Sequence, residues 1–167
     1  GGDLMADSEE VEIIQRENVL KGKVGSEGPS ESDLRAIQRA QAAIGSLSGK
    51  YIEIADEDLA NLNASAEKMK SDPANRASHL KRVFLLAHDM KGQGGSFGFP
   101  MISMVSNQLC RFIEKIEDEA GEVETEVISL YVNALNVVVR GRIKDADDKQ
   151  AQALLSGLDL VSQKILK

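Results

Sequence analysis

Residues 83–100 read VFLLAHDMKGQGGSFGFP, a stretch that combines a helical apolar pattern with a cluster of glycines. At 100° per residue, four of its apolar residues and one glycine fall within roughly 60° of Val83 on one side of a helix. These positions are Leu86, Ala87, Met90, Gly94 and Phe97. Gly98 is typical of a helix end, and Pro100 is typical of the first turn of a following helix. The pattern therefore predicts a helix that ends before Gly98 and another that begins at Pro100.

His88 lies about 140° around the helix from Val83, so the same pattern predicts that its imidazole is exposed. Residues three, four and seven positions away share a helix surface. For His88 these neighbours are Phe84, Lys91, Gly92 and Gly95. The surface around the histidine thus combines a cation with two residues that have no side chain.

Three glycines inside one helix carry an energetic cost that needs an explanation. Each interior glycine costs about 1 kcal/mol relative to alanine, so Gly92, Gly94 and Gly95 together cost roughly 3 kcal/mol. Gly94 falls on the apolar face, where close helix packing explains it. Gly92 and Gly95 are expected to face outward, and we interpret them as clearance around His88 for a docking protein.

An exposed histidine on such a low surface suits phosphoryl transfer. Imidazole is largely neutral at cellular pH and offers a ring-nitrogen lone pair. To attack an acyl phosphate inside a partner's cleft, the ring must protrude from a surface without bulky neighbours. The cation of Lys91 can neutralise charge on the transferring group. Phe84 and Leu85, expected to be exposed beside the ring, offer a partner an apolar surface.

The segment HDMKG at residues 88–92, followed by Gly98, resembles the signature of histidine-containing phosphotransfer (HPt) domains of bacterial and eukaryotic phosphorelays. The family pattern is His, any residue, an aliphatic residue, Lys and Gly, and then a later Gly. The resemblance is closest over residues 80–118 and extends over about 52–142. It implies an antiparallel four-helix bundle.

The resemblance also implies roles for individual residues. His88 would accept a phosphoryl group from a receiver-domain aspartate, Lys91 would stabilise it, and Gly92 and Gly95 would clear the docking surface. Some family members have a glutamine on the following helix near the imidazole. This chain has Cys110 at that position, with Gln108 nearby.

Amphipathic patterns predict that the rest of the chain is also helical. Ser30 and Asp33 form a capping-box pattern at the start of the first helix. Asp56 is expected to cap the second helix, which Pro73 stops. The predicted helices cover 31–47, 56–72, 74–97, 100–121, 123–142 and 147–165. Short connections favour antiparallel neighbours, so the middle four helices predict an all-α, up-down four-helix bundle with additional N-terminal and C-terminal helices.

The predicted helices divide the chain into four parts. Residues 1–29 are expected to form a flexible or extended N-terminal arm, with a possible tag remnant at 1–4. Residues 30–50 are expected to form an extra N-terminal helix, and 51–143 the four-helix bundle. Residues 144–167 are expected to form a C-terminal helix that packs on the bundle.

Composition argues against several other classes of protein. The chain has 27 acidic and 20 basic residues, a net charge of −7 and no long basic run, which argues against nucleic-acid binding. The single cysteine, Cys110, excludes an internal disulfide framework, and we interpret it as a buried packing residue. No apolar run approaches the ~20 residues needed to span a bilayer, and no leader pattern opens the chain. We therefore expect a cytoplasmic protein without membrane contacts.

Alternative functions fit parts of the pattern. His88 and Asp89 resemble the pair of metal-dependent phosphohydrolases, but the chain has only two histidines, too few to hold the metal ions. The other, His79, is interpreted as a solvated residue. The phosphoacceptor helix of a sensor kinase usually has a proline soon after its histidine, where this chain has glycines, and no pattern of an ATP site is present. A helical adaptor without phosphate chemistry would use only the surface of Phe84 and Leu85.

The sequence thus predicts a histidine phosphotransfer protein of a two-component phosphorelay, a stoichiometric phosphocarrier rather than an enzyme. Its expected partners are response-regulator receiver domains, hybrid histidine kinases or both. No cofactor or metal is expected in the chain, since any catalytic metal should belong to the partner's aspartate pocket. The alternatives are a non-catalytic helical adaptor that binds a signalling partner and a metal-dependent phosphohydrolase.

Overall fold

A computed structural model describes residues 28–117 and 119–166, which form five α-helices, one short 3-10 helix and no strand. The α-helices are α1 (Glu31–Ser71), α2 (Arg76–Gly94), α3 (Pro100–Lys115), α4 (Glu122–Arg140) and α5 (Lys149–Ile165), and the 3-10 helix is Pro73–Asn75. The prediction of an all-α fold is confirmed. Residues 1–27 of the predicted arm lie outside the described residues. The chain divides into two units, Gly1–Lys50 and Tyr51–Lys167.

The start of α1 follows the sequence prediction, but its length does not. The backbone N–H of Ser30 donates to Asp33 Oδ2 (3.2 Å), and the N–H of Asp33 donates to Ser30 Oγ (3.1 Å), which is the predicted capping box. The predicted end near Gly49 and the predicted new start at Asp56 are wrong, because one helix continues to Ser71. Keeping Gly49 inside a helix costs about 1 kcal/mol relative to alanine. This cost is offset by burial of the side chains that follow, Tyr51, Ile52 and Ala55.

In the second unit, α1 from Tyr51 onward, α2, α3 and α4 form the four-helix bundle. Asn63 of α1 and Asn136 of α4 donate amide hydrogen bonds to each other (3.0 and 2.9 Å). Lys70 follows Asn63 along α1, whereas Glu126 precedes Asn136 along α4, and Lys70 Nζ lies 3.6 Å from Glu126 Oε1. These two helices therefore run antiparallel. The prediction of an antiparallel, up-down bundle is confirmed.

The core of this bundle is mostly aliphatic, with few rings. Every large side chain on the inner faces of the four helices is almost fully buried, and the rings of Phe112 and Tyr131 lie 6.2 Å apart between α3 and α4. Tyr51 stacks on Phe97, with 5.1 Å between ring centroids. The rigid inner face of α2 fixes the direction in which its outer face points.

α5 packs on the bundle against α3 and α4. Gln108 donates its side-chain N–H to the carbonyl of Leu155 (3.3 Å), and the hydroxyl of Tyr131 donates to the carbonyl of Leu158 (3.4 Å). Asp148 caps α5 by accepting from the N–H of Ala151. One of the two helices that α5 contacts, α3, is shorter than predicted. It ends at Lys115 rather than near 121, because Glu117 adopts a left-handed backbone (φ 53°) that a continuing helix does not permit.

Candidate functional site

His88 lies in the second half of α2 with its side chain exposed. Val83, Ala87 and Met90 are fully buried on the other side of the helix and set this orientation. The imidazole lies beside the ring of Phe84, with 5.9 Å between the centroids and 29° between the planes. Phe84 is half-buried and packs against the core. The histidine is thus an exposed ring supported on one side by an anchored aromatic ring.

The three glycines after His88 have different surroundings. A Cβ at Gly92 would meet nothing within 4 Å, so the surface there is open. A Cβ at Gly94 would lie 2.8 Å from Ser103 Oγ and 3.0 Å from the carbonyl oxygen of Phe99, so close packing requires glycine. Gly95 is half-buried rather than fully outward, and its Cβ would lie 3.5 Å from Ser103 Oγ, an ordinary contact. Packing therefore explains Gly94 but neither Gly92 nor Gly95.

α2 ends in a Schellman motif at Gly98. The N–H of Phe99 donates to the carbonyl of Gly94 (2.8 Å), and the N–H of Gly98 donates to the carbonyl of Gly95 (3.4 Å). Gly98 has φ 87°, which residues with a side chain rarely adopt. The helix therefore continues past Lys91 to Gly94, somewhat short of the predicted end at 97, and hydrogen-bonded turns over residues 95–98 close it.

Ser103 of α3 fixes the backbone around the site, and the sequence analysis missed it. Its hydroxyl donates to the carbonyl of Lys91 (2.6 Å) and accepts from the N–H of Gly95 (2.7 Å). In an uninterrupted α-helix, the N–H of Gly95 would donate directly to the carbonyl of Lys91. The only signal in the sequence is a small polar residue in the first turn after Pro100. This signal is too weak to identify a residue that holds two positions of another helix.

Lys91 lies on the side of α2 that faces α3. Burial raises the pKa of the Cys110 thiol on α3 to about 11, and the ammonium charge of Lys91 opposes part of this rise. Cys110 is 2% exposed, which confirms that it is a packing residue. The side chain of Gln108 is hydrogen-bonded to Leu155 and Tyr131, towards α4 and α5. The position at which some family members have a glutamine therefore carries a buried thiol in this chain.

Negative charge lies on the other side of α2, towards α1. Burial raises the pKa of Asp58 on α1, and the carboxylates of Asp89 and Glu57 raise it further. Asp89 is the residue that follows His88 in the sequence. At 100° per residue, His88 lies around the helix between Asp89, whose carboxylate acts on Asp58 of α1, and Lys91.

An open apolar groove of about 730 Å³ lies between α2 and α3, one turn before His88. Phe84 and Leu85 line it from α2, and Ile113 lines it from α3. Leu85 is 52% exposed, a large apolar side chain in contact with solvent. Glu114 and Glu117 form an acidic edge. The structure thus brings together the histidine, Lys91, the two glycines and both apolar residues that the sequence singled out.

His79 has different surroundings from those predicted. The prediction of a solvated residue is wrong, since its side chain is 19% exposed and its Nε2 lies 2.9 Å from Asp72 Oδ2. Asn75 donates to the same carboxylate. These hydrogen bonds lower the pKa of Asp72 below its ordinary value, with that of His79 contributing most. His79 thus holds the connection between α1 and α2.

The described residues form neither a cluster of metal-binding side chains nor a membrane-spanning helix. Among residues 28–117 and 119–166, no group of three or more His, Cys, Asp or Glu side chains is arranged to hold a metal ion. In the same part of the chain, no helix is both long enough and apolar enough to cross a membrane.

Comparison with known proteins identifies a family. A family model described as the Hpt domain matches residues 46–148, which is more than half of the chain. Comparison with curated proteins and with solved structures gave no match. The matched range covers most of α1, the whole of α2, α3 and α4, and the exposed His88.

Proposed function

The chain belongs to the Hpt domain family, and we propose that His88 is the residue through which it exchanges phosphoryl groups with receiver-domain aspartates. Phosphotransfer in two-component signalling is the general function of Hpt domains. The observation that carries the proposal is the exposed imidazole on α2, beside a position at which the surface is open. In this role the chain is a carrier that holds one phosphoryl group, and its partners are response-regulator receiver domains, hybrid histidine kinases or both.

In the proposed reaction, a ring nitrogen of His88 attacks the phosphorus of an aspartyl phosphate in the partner. The bond between phosphorus and the aspartate oxygen breaks as the phosphorus–nitrogen bond forms. The aspartate leaves as a carboxylate, and the histidine carries the phosphoryl group until a second receiver takes it by the reverse reaction. The reacting atoms must approach to about 3–3.5 Å, so the surface beside the ring must admit the rim of the partner's cleft.

The open surface at Gly92 supports this approach. A side chain there would project into free space next to His88, where a docked receiver domain needs room. We assign Gly95 a smaller share of the clearance, because it is half-buried and in contact with Ser103. Ser103 acts as a positioning residue, since it bridges the backbone of Lys91 and Gly95 on either side of the open position.

Lys91 is proposed to stabilise the phosphoryl group. It lies three residues after His88, so the two side chains share a helix surface. Its ammonium opposes the negative charge on the transferring oxygens. The stabilisation at a partly exposed site is on the order of 1 kcal/mol.

The groove beside Phe84 and Leu85 is proposed as the apolar part of the docking surface. Its lining combines exposed apolar side chains with a polar edge, which is the usual composition of a protein interface. Because Phe84 also supports the imidazole, contact with a partner would orient the ring at the same time. We propose that the phosphotransfer unit comprises residues 51–143, with residues 144–167 packed on it through α5.

Transfer from a phosphorylated receiver domain tests the proposal. The wild-type chain is expected to acquire acid-labile phosphate, His88→Gln is expected to acquire none, and His79→Gln is expected to behave as the wild type. Circular dichroism on both variants establishes that they are folded. Undiminished labelling of His88→Gln would overturn the assignment, and a folded wild-type chain that binds receivers without acquiring phosphate would favour an adaptor.

A further inference from the structure

An open cavity of about 400 Å³ lies between α3, α4 and α5, and the proposed phosphotransfer chemistry does not use it. It shares no lining residue with the groove beside Phe84 and Leu85. α5 begins at Lys149, one residue after the family match ends, so one wall of the cavity lies outside the matched range. The cavity is therefore a feature of this chain that membership of the family does not explain.

Two cations line this cavity from the same helix. Arg111 and Lys115 of α3 lie four residues apart, and both are exposed. Within residues 28–117 and 119–166, neither side chain forms an ion pair or a hydrogen bond. Like charges four residues apart destabilise a helix, and the chain as a whole carries a net charge of −7. A pair of free cations on an acidic chain therefore favours an anion as the occupant of the cavity.

The cavity wall also holds a hydroxyl group without a close acceptor. Tyr131 lines the cavity and is 1% exposed, and its hydroxyl donates to Gln108 Oε1 or to the carbonyl of Leu158, each at 3.4 Å. An O–H donor usually lies about 2.5–3.0 Å from its acceptor, so both of these bonds are long. Burial raises the pKa of Tyr131, which keeps the hydroxyl protonated. An oxygen atom of a bound anion would give this proton a closer acceptor.

The rest of the lining suits a molecule with an apolar body. Met104 is 43% exposed, and Leu155 and Leu166 are partly buried in the cavity wall. Among the described residues that line the cavity, Asp159 is the only acid, and it forms no ion pair with either cation. Two cations against one acid leave the lining with a net positive charge.

The number of cations favours a phosphate monoester over a carboxylate. A phosphate monoester carries a charge of about −1.5 to −2 at neutral pH and three acceptor oxygens, so it can bind two cations and a hydroxyl group together. A carboxylate carries a single charge on two oxygens. Arginine also binds phosphate through two parallel hydrogen bonds.

We propose that the cavity between α3, α4 and α5 binds a small phosphate monoester with an apolar body, held by Arg111, Lys115 and the hydroxyl of Tyr131.

Titration of the isotope-labelled full chain with phenyl phosphate, followed by NMR, tests the proposal. Saturable shifts are expected at the backbone amides of the α3 and α5 residues that line the cavity. Inorganic phosphate lacks the apolar body, and benzoate lacks the second charge. Each is expected to bind at least about threefold more weakly than phenyl phosphate.

Variants of the lining test the role of charge. Arg111→Ala and Lys115→Ala are each expected to raise the Kd for phenyl phosphate about fivefold, because each removes one charge from a partly exposed site. Asp159→Asn is expected to lower the Kd, because it removes the acid of the lining. The matched control is Arg140→Ala, since Arg140 is an exposed arginine on α4 that does not line the cavity. This control is expected to bind phenyl phosphate as the wild type does.

Each outcome decides the proposal. Saturable shifts at the cavity, with the expected order of the three ligands, would support it. Their absence would overturn it, as would equal losses of affinity in Arg111→Ala and Arg140→Ala. Benzoate that binds as tightly as phenyl phosphate would overturn the choice of a phosphate group, and inorganic phosphate that binds as tightly would overturn the apolar body.

Discussion

α2 carries both histidines of the chain, and the two lie in opposite surroundings. His79, near the start of the helix, is largely buried and bound to Asp72. His88, about two and a half turns later, is exposed, supported by Phe84 and followed by open surface at Gly92. The same side chain therefore has a structural role at one end of the helix and a proposed chemical role at the other. The difference comes from neighbours: a bound carboxylate occupies the ring nitrogen that a nucleophile must keep accessible.

The largest expected effect comes from filling the open surface beside His88. Gly92→Gln is expected to slow phosphoryl transfer from a receiver domain by more than about tenfold, because the added side chain occupies docking space. Labelling by a small phosphoramidate, which needs no docked protein, is expected to be retained. Gly157→Gln is the matched control, since Gly157 is a helical glycine on α5 that also faces open space. If Gly92→Gln transfers as fast as this control, the open surface does not serve docking.

Alanine at two neighbouring glycines is expected to have opposite effects on stability. Gly94→Ala is expected to lower the free energy of unfolding by roughly 1–3 kcal/mol, because its Cβ would press on Ser103 and on backbone atoms. Gly92→Ala is expected to raise the free energy of unfolding by up to about 1 kcal/mol through helix propensity. Urea denaturation measures both values. Equal changes of the same sign would contradict the division between packing and clearance.

Removal of the cation beside His88 is expected to have a moderate effect. Lys91→Ala is expected to slow transfer about tenfold or less, which corresponds to about 1 kcal/mol of charge stabilisation. The melting temperature is expected to change little, because the side chain is exposed. Lys164→Ala is a useful control, since it removes an exposed lysine charge from α5, away from the groove. An unchanged rate for Lys91→Ala would leave Lys91 without a role in transfer.

Loss of the Ser103 hydroxyl is expected to reduce stability and transfer together. Ser103→Ala removes a donor and an acceptor that bridge Lys91 and Gly95, and about 1 kcal/mol of stability is expected to be lost. The N–H of Gly95 is expected to exchange with deuterium faster. Unchanged exchange at that amide would show that the bridge does not hold the helix end.

The smallest expected effect comes from removing the carboxylate that binds His79, and this effect depends on pH. The pKa of Asp72 is lowered from 3.8, mainly by its hydrogen bond with His79. A carboxyl group whose pKa is lower in the folded state stabilises the fold at pH values above the unfolded value. It loses that contribution as the pH falls through the lower folded value. Asp72→Asn is therefore expected to lower the melting temperature slightly at neutral pH and not at strongly acidic pH.

The same variant sharpens the comparison between the two histidines. Asp72→Asn releases His79 from its carboxylate but does not give it an open surface, so His79 is expected to remain unphosphorylated. Labelling of His79 in the variant would show that the paired carboxylate alone, rather than clearance, separates the two histidines.

The sequence predicted the features that depend on local pattern, but it did not predict those that depend on distant contacts. The inner face of α2, the capping box at Ser30 and the helix start at Pro100 each follow from residue type and spacing. The continuation of α1 through Gly49 did not, because burial of later side chains outweighs a local helix-breaking signal. The end of α3 before residue 121 depends on one residue, Glu117, that adopts an unusual backbone conformation.

The same division holds for the candidate site. Exposure of His88 and close packing at Gly94 were predictable from helical periodicity. The bridge made by Ser103 and the partner of His79 were not, because each joins residues whose separation in space is set by the fold. The carboxylate of Asp58 beside Asp89 also comes from a different helix, and no spacing rule relates the two.

The central claim is that phosphate is carried by His88, and mapping the phosphorylated residue in the wild-type chain tests it most directly. After incubation with a phosphorylated receiver domain, the chain is digested at neutral or alkaline pH and its phosphopeptides are identified by mass spectrometry. The account predicts phosphohistidine at His88 and an unmodified His79. Phosphate at His79, or at any residue other than His88, would contradict it.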